Sequence, residues 1–156
     1  MKKLLFVLLL SLFGCNDDDK EDPCFPNGFV IDPLVRNFFI ELVNADGENL
    51  IENGTFKRDE IELRYKESQI TGVVFESVAG LENVITMNLF GDEGDNVFLV
   101  DLSASVTDTL TLNLTKTVTE CGIADFSLNS ATYNSMEQAL LPFNGNGDSE
   151  KITVIK

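Results

Sequence analysis

The chemistry open to this chain rests on carboxylates and other oxygen ligands. It has 26 Asp and Glu side chains and no His. Two stretches concentrate oxygen donors: Asp92-Glu93-Gly94-Asp95-Asn96 and Asn144-Gly145-Asn146-Gly147-Asp148. A hard cation such as calcium takes several oxygens from carboxylates, amides and carbonyls. Asp92 and Asp95, and separately Asn144, Asn146 and Asp148, are therefore the candidate calcium ligands. Gly and Asn are also what an ordinary tight turn needs. Paired carboxylates could in principle work on a glycosidic bond as acid and base. Most of those here fall in turns or on alternating polar faces. The lack of His excludes triads that use His as base and His-ligated metals. No Gly-x-Ser-x-Gly elbow and no phosphate-binding P-loop is present. A nucleophilic Cys would need a base and an electropositive setting, and neither is clear. The chain reads as a non-enzyme, with calcium as the one candidate cofactor.

The N-terminus concerns address. Lys2 and Lys3 precede an apolar run from Leu4 to Phe13, broken only by Ser11. That run is shorter than the ~20 residues of a membrane-spanning helix. It suits a signal-peptide core of about 7–15 residues. The tetrapeptide Leu12-Phe13-Gly14-Cys15 resembles the lipobox of bacterial lipoproteins, with Phe at the variable second position. The resemblance implies cleavage after residue 14 and lipid on Cys15. Two or three acyl chains hold a protein to a membrane where one does so marginally. Residues 15–23 follow as an acidic tether, self-repelling and solvated. An acidic cluster just after the lipidated Cys is similar to the export signal of Bacteroidota surface lipoproteins. That likeness implies an outer-membrane anchor with the domain facing outward; a periplasm-facing anchor is the alternative.

Residues 24–156 then form one domain of ordinary size. Loss of Lys2 and Lys3 leaves 26 acidic against 9 basic side chains, a net charge near −17. Such a surface repels nucleic acid and favours cations or basic partners. With Cys15 lipidated, Cys24 and Cys121 remain, and in an oxidising compartment an even pair reads as a disulfide. No Cys-x-x-Cys spacing suggests a metal.

Period-2 alternation dominates this domain. Ile61, Leu63 and Tyr65 alternate with Glu62 and Arg64. Ile85, Met87 and Leu89 form a second set, and Phe98, Val100 and Leu102 a third. Leu110, Leu112 and Leu114 alternate with Thr and Asn. Phe126 with Leu128, and Ile152 with Val154, complete the pattern. Phe38 to Val43 is apolar on both faces except Glu41 and reads as a central, covered strand. Turn signals at Asp46-Gly47, Asn53-Gly54, residues 91–96, Cys121-Gly122 and residues 144–148 separate the runs. Ser135 to Leu141 is the nearest approach to a helix, a turn or two ended by Pro142. The expected fold is all-β: an antiparallel β-sandwich of about eight short strands, immunoglobulin-like or prealbumin-like. A closed barrel is the alternative.

Three weaker resemblances bear on function. The stretch Phe39-Ile40-Glu41-Leu42-Val43-Asn44-Ala45-Asp46-Gly47-Glu48-Asn49-Leu50 resembles the opening strand and turn of carboxypeptidase-regulatory, prealbumin-like domains. Residues 144–148 resemble the start of an EF-hand loop, but Ser149 and Ile155 stand where that loop has Gly and Glu. Asp108-Thr109-Leu110 resembles the acceptor of Bacteroidota protein O-glycosylation, with Thr109 as the acceptor. The whole chain is similar to small Bacteroidota lipoproteins to which no activity attaches. Glycan binding would want exposed aromatic faces, and the chain has no Trp, only Tyr65 and Tyr133, and 12 Phe that are mostly core by position. Phe25 and Phe29 read as cover for a sheet edge. The expected role is a non-catalytic, surface-displayed binding or structural module. A glycan-binding accessory lipoprotein and a calcium-stabilised adhesin domain are the alternatives, and strand addition at a sheet edge is the expected docking mode.

Overall fold

A computed structural model describes residue 24 and residues 35–71, 73–143 and 146–156, with side chains of the last stretch from 149 onward. The lipobox, the tether, Phe25, Phe29 and Asn144 lie outside the described residues. No α-helix occurs among the described residues, so none is long and apolar enough to cross a membrane.

Ten strands form two sheets. One sheet has four: β4 (Ile85–Asn88), β1 (Asn37–Val43), β10 (Asn146–Ile155) and β9 (Leu141–Phe143), in that order. The other has six: β3 (Ser68–Ile70), β2 (Glu62–Tyr65), β5 (Gly94–Ser103), β6 (Val106–Val118), β7 (Ala124–Tyr133) and β8 (Met136–Gln138). Two separate sheets make a sandwich and dispose of the barrel. The alternation read from the sequence lines the space between them. Phe38, Ile40 and Leu42 from β1 meet Leu63, Phe98, Val100, Leu102, Leu110, Leu112 and Leu114 from the facing sheet, all inaccessible to solvent. Full burial of each such side chain is worth about 1.5–3 kcal/mol. β1 is central and covered, as its composition demands.

Several expectations need correction. The segment Ser135 to Leu141 contains no helix. Asn134 and Ser135 both take positive φ, 48° and 66°. Two successive left-handed residues make the tight turn that matches the twist of a hairpin. The chain therefore folds straight back from β7 into β8, crosses to the other sheet, and enters β9 with Pro142 inside an edge strand. The stretches 91–96 and 144–148 are not wholly turns, because β5 starts at Gly94 and β10 at Asn146. The expectation that the Phe residues are mostly core has an exception in Phe75, which is 39% exposed. The sheets are not wholly antiparallel: β1 runs parallel to β10, with Ile40 opposite Ile152. β7 also runs past Asn129. There the register slips, Asn113 facing Ser130 and Leu114 facing Leu128, so Asn129 is an extra residue. Its amide donates to Asn113 Oδ1 and to Thr115 Oγ1, both at 2.9 Å. A bulge of this kind shifts the inward phase by one, and Ala131 and Tyr133 become the buried residues.

The outermost strands are short, but β8 covers only Ala131–Tyr133 of β7, so residues 124–130 have no strand partner on that side among the described residues. β3, β8 and β9 have three residues each and β4 has four. Pro142 offers no N–H along β9. Short edges and an edge proline discourage strand addition at those outermost strands.

Candidate functional site

The outer face of the four-stranded sheet carries a groove of about 670 Å³. Its floor is Glu41 of β1, Lys151 of β10 and Phe143 of β9, with Val84 beside them. Two loops wall it, one through Gly47, Glu48, Asn49, Glu52 and Asn53, the other through Gly80, Glu82 and Asn83.

The first wall begins at the Asp46-Gly47 turn. Asn44 Oδ1 accepts the backbone N–H of Asp46 at 3.0 Å and of Glu48 at 2.9 Å. Gly47 sits at φ 84°, where a side chain would be strained. Asn49 then caps the next turn, its Oδ1 accepting from Ile51 N at 2.9 Å and Glu52 N at 3.0 Å. Its amide reaches across to the second wall and donates to the carbonyl of Asn83 at 3.0 Å. Asn83 is itself left-handed, φ 65°. Arg58 holds its Oδ1 through Nε at 3.2 Å and Nη2 at 2.6 Å. Both walls are thus tied together by side-chain bonds within the chain itself.

Four carboxylates line the groove, with one ammonium. Glu41 accepts from Lys151 Nζ at 2.9 Å and Thr153 Oγ1 at 3.0 Å. The Lys151 bond holds its carboxyl below the usual range, against the opposing effect of burial. Glu41 is therefore an ionised acceptor and unsuited to donate a proton. Glu48 accepts from Asn44 Nδ2 at 2.9 Å, and Glu82 from the N–H of Gly80 at 2.7 Å. Acid–base chemistry wants one carboxyl kept protonated by its surroundings. The groove instead presents carboxylates held by donors, which is equipment for attracting positive charge. Phe143 is buried and stacks on Phe39 at 3.8 Å, so its ring offers no open face to a sugar. Because a depressed carboxyl stabilises the fold above its unfolded pKa, Glu41→Gln should lower the melting temperature at neutral pH. The deficit should shrink as pH falls through the lowered pKa, where the wild type loses the same contribution. Melting curves between neutral and acid pH check this; a deficit independent of pH would mean packing rather than charge.

Of the candidate ligands named from the sequence, the structure describes the side chains of Asp92 and Asp95, whereas Asn144 and the side chains of Asn146 and Asp148 lie outside the described residues. Asp92 pairs with Lys66 Nζ at 2.7 Å. Asp95 accepts from Asn113 Nδ2 at 2.6 Å on the outer face of the six-stranded sheet. Asn146 and Asp148 belong by their backbone to β10. Among the described residues no group of three or more His, Cys, Asp or Glu could hold a metal ion. Asn96, from the same stretch, has another task. It is 2% exposed. It accepts from Tyr65 OH and Asp92 N at 2.8 Å each, and donates to the carbonyls of Asp92 and Gly94 at 2.9 Å each. Thr109 is half-buried in β6, while the neighbouring Asp108 is buried on the core side. Cys24 and Cys121 are both disulfide-bonded.

No protein-family model, curated protein or solved structure matches this chain. The groove is argued from its own geometry. Sequence reading missed it because Glu48 with Glu52 and Glu82 lie some 30 residues apart and meet only through loops. The one local signal was the run of Asn and Gly after β1.

Proposed function

We propose that this protein is a lipid-anchored, surface-displayed binding module without catalytic activity, and that the acidic groove is the surface it presents. The observation that carries the reading is the hydrogen bonding that ties the groove's two walls together. Glu48, Glu52 and Glu82 project from walls that Asn49, Asn83 and Arg58 already hold in place. A cleft that is built in advance loses little entropy on binding. The carboxylates outnumber the single lysine, and Glu41 already neutralises that lysine. The matching ligand is cationic: a segment of a partner rich in lysine or arginine.

Titration calorimetry with oligoarginine and oligolysine peptides tests it. Binding should weaken with salt. The triple change Glu48→Lys, Glu52→Lys, Glu82→Lys should weaken it by about tenfold or more. The same charge change at Glu67, Glu120 and Glu137, on the other sheet, should have a much smaller effect. Equal losses from the two triples would reduce the effect to net charge and end the groove reading.

The anchor rests on the lipobox and the acidic tether. Cys15→Ala should abolish incorporation of labelled palmitate and release the protein from the membrane fraction. Retained label would remove the lipobox assignment. Protease shaving of intact cells addresses the outward address: a domain cut only after lysis faces the periplasm.

A further inference from the structure

Asn96 and Asp108 are the buried polar or charged residues of the described core. The bonds of Asn96 are explained by its turn. Asp108 is different, because it faces a lysine from the opposite sheet. Lys156 Nζ is in direct contact with Asp108 Oδ2, and the two side chains are 22% and 9% exposed. Lys156 is anchored, its backbone N–H donating to the carbonyl of Val43 at 2.9 Å. Its ammonium lies 5.6 Å from the centroid of the Phe56 ring. Two further donors grip the carboxyl. Tyr133 OH donates to Oδ2 at 2.8 Å, and Asn134 Nδ2 donates to Oδ1 at 2.9 Å. The Asn134 amide is itself oriented, since its Oδ1 accepts the N–H of Thr109 at 2.8 Å.

We propose that Lys156 and Asp108 condense to a side-chain amide, a covalent tie between the end of β10 in one sheet and β6 in the other. The inference does not depend on the groove. Burial works against the carboxylate, and the bonds from Lys156, Asn134 and Tyr133 outweigh it, so the Asp108 carboxyl lies below the usual range. In a poorly solvated site a proton can pass from ammonium to carboxylate, because both neutral partners are then relieved of desolvation. The neutral amine is a nucleophile already held at Oδ2 of the carboxyl it attacks, and contact of this kind replaces a bimolecular encounter. Nζ attacks Cγ and a C–N bond forms. The charge that develops on Oδ1 is held by Asn134 Nδ2, as an oxyanion hole holds it. The Cγ–Oδ2 bond breaks beside the Tyr133 hydroxyl, and Oδ2 leaves as water. Of the three ammonium protons, two end on that water and one stays on the amide nitrogen. Nothing is oxidised or reduced, and no co-reactant enters.

Peptide mapping of the reduced, denatured full-length protein is the test. The expected result is a branched tryptic peptide that joins the Asp108 segment to Lys156 and is one water lighter than the two pieces together. Intact masses of the wild type and Lys156→Arg should differ by that water beyond the Lys-to-Arg difference, a comparison in which the lipid cancels. Arginine keeps the ion pair but cannot form the bond. Recovery of the Asp108 peptide and Lys156 only in unjoined form from the wild type overturns the proposal. That result does not require any variant to fold.

Discussion

Asn96→Ala should unfold this protein on the order of 10 °C earlier than the wild type. The buried side chain makes four hydrogen bonds, and the one from Tyr65 OH is shielded from solvent. Truncation leaves the buried Tyr65 hydroxyl without its acceptor, at about 1–3 kcal/mol, and removes three further bonds of the turn at about 0.5–1.5 kcal/mol each. A loss of about 3 kcal/mol in a domain of this size shifts the midpoint by roughly that 10 °C. Tyr65 is also stacked on Phe98 at 4.7 Å and meets Phe90 edge-on at 5.3 Å, so its displacement disturbs the core. Gly91 supplies a second handle. It sits at φ 151°, and a Cβ there would stand 2.3 Å from Asn96 Oδ1. Gly91→Ala should therefore be costly in the wild type and less so once Asn96 is alanine. Thermal melts of the two single variants and the double variant measure this coupling. Additive losses would show that Asn96 does not hold the turn, and a midpoint for Asn96→Ala within a degree or so of the wild type would remove the argument.

Asn96 also shows where reading the sequence runs out. Asp92, Asp95 and Asn96 look like oxygen ligands because a calcium loop and a self-bonded turn use the same side chains. Which of the two is present depends on Tyr65 and Lys66, which are distant in sequence and arrive only when β2 pairs with β5. Strands were legible wherever one face met the core and the other met water. Leu110, Leu112 and Leu114 announce β6 because a buried face and a wet face must alternate. The alternation failed at Asn129, where the bulge shifts the phase, and so Ala131 and Tyr133 were lost. It failed again from Met136 to Leu141, a stretch of good helix formers. There the two left-handed residues before it decided the path. The parallel pairing of β1 with β10 joins residues over 100 apart, and no local pattern records it. Asp108 was visible only as the neighbour of Thr109, because the lysine that meets it lies 48 residues on.

The second large effect concerns the cysteines. Cys121→Ser should lower the melting midpoint on the order of 10 °C under oxidising conditions. A cross-link from Cys24 to Cys121 would close a loop of about 100 residues, for which the chain-entropy model gives up to ~4–5 kcal/mol, and removal of native bridges commonly costs 2–5 kcal/mol. Cys121 sits in the turn between β6 and β7, where Gly122 takes φ 74° and the N–H of Gly122 returns to the carbonyl of Thr119 at 2.9 Å. That turn has its own bonds, so the loss falls chiefly on the unfolded chain, which becomes freer. If Cys24 and Cys121 are partners, Cys24→Ser, Cys121→Ser and the double change should melt together, and a reductant should bring the wild type down to them. Midpoints that differ among the three would mean that the cysteines have other partners. The lipid proposed on Cys15 enters here as well. A sulfur in a diacylglyceryl thioether cannot attack a disulfide, whereas a free thiol nine residues from Cys24 could exchange with it. Cys15→Ala should thus leave the midpoint of the folded domain unchanged while it abolishes anchoring. A Cys15→Ala protein that melts like the Cys121→Ser variant would show that Cys15 takes part in the disulfide, and would refute the lipobox assignment together with the pairing.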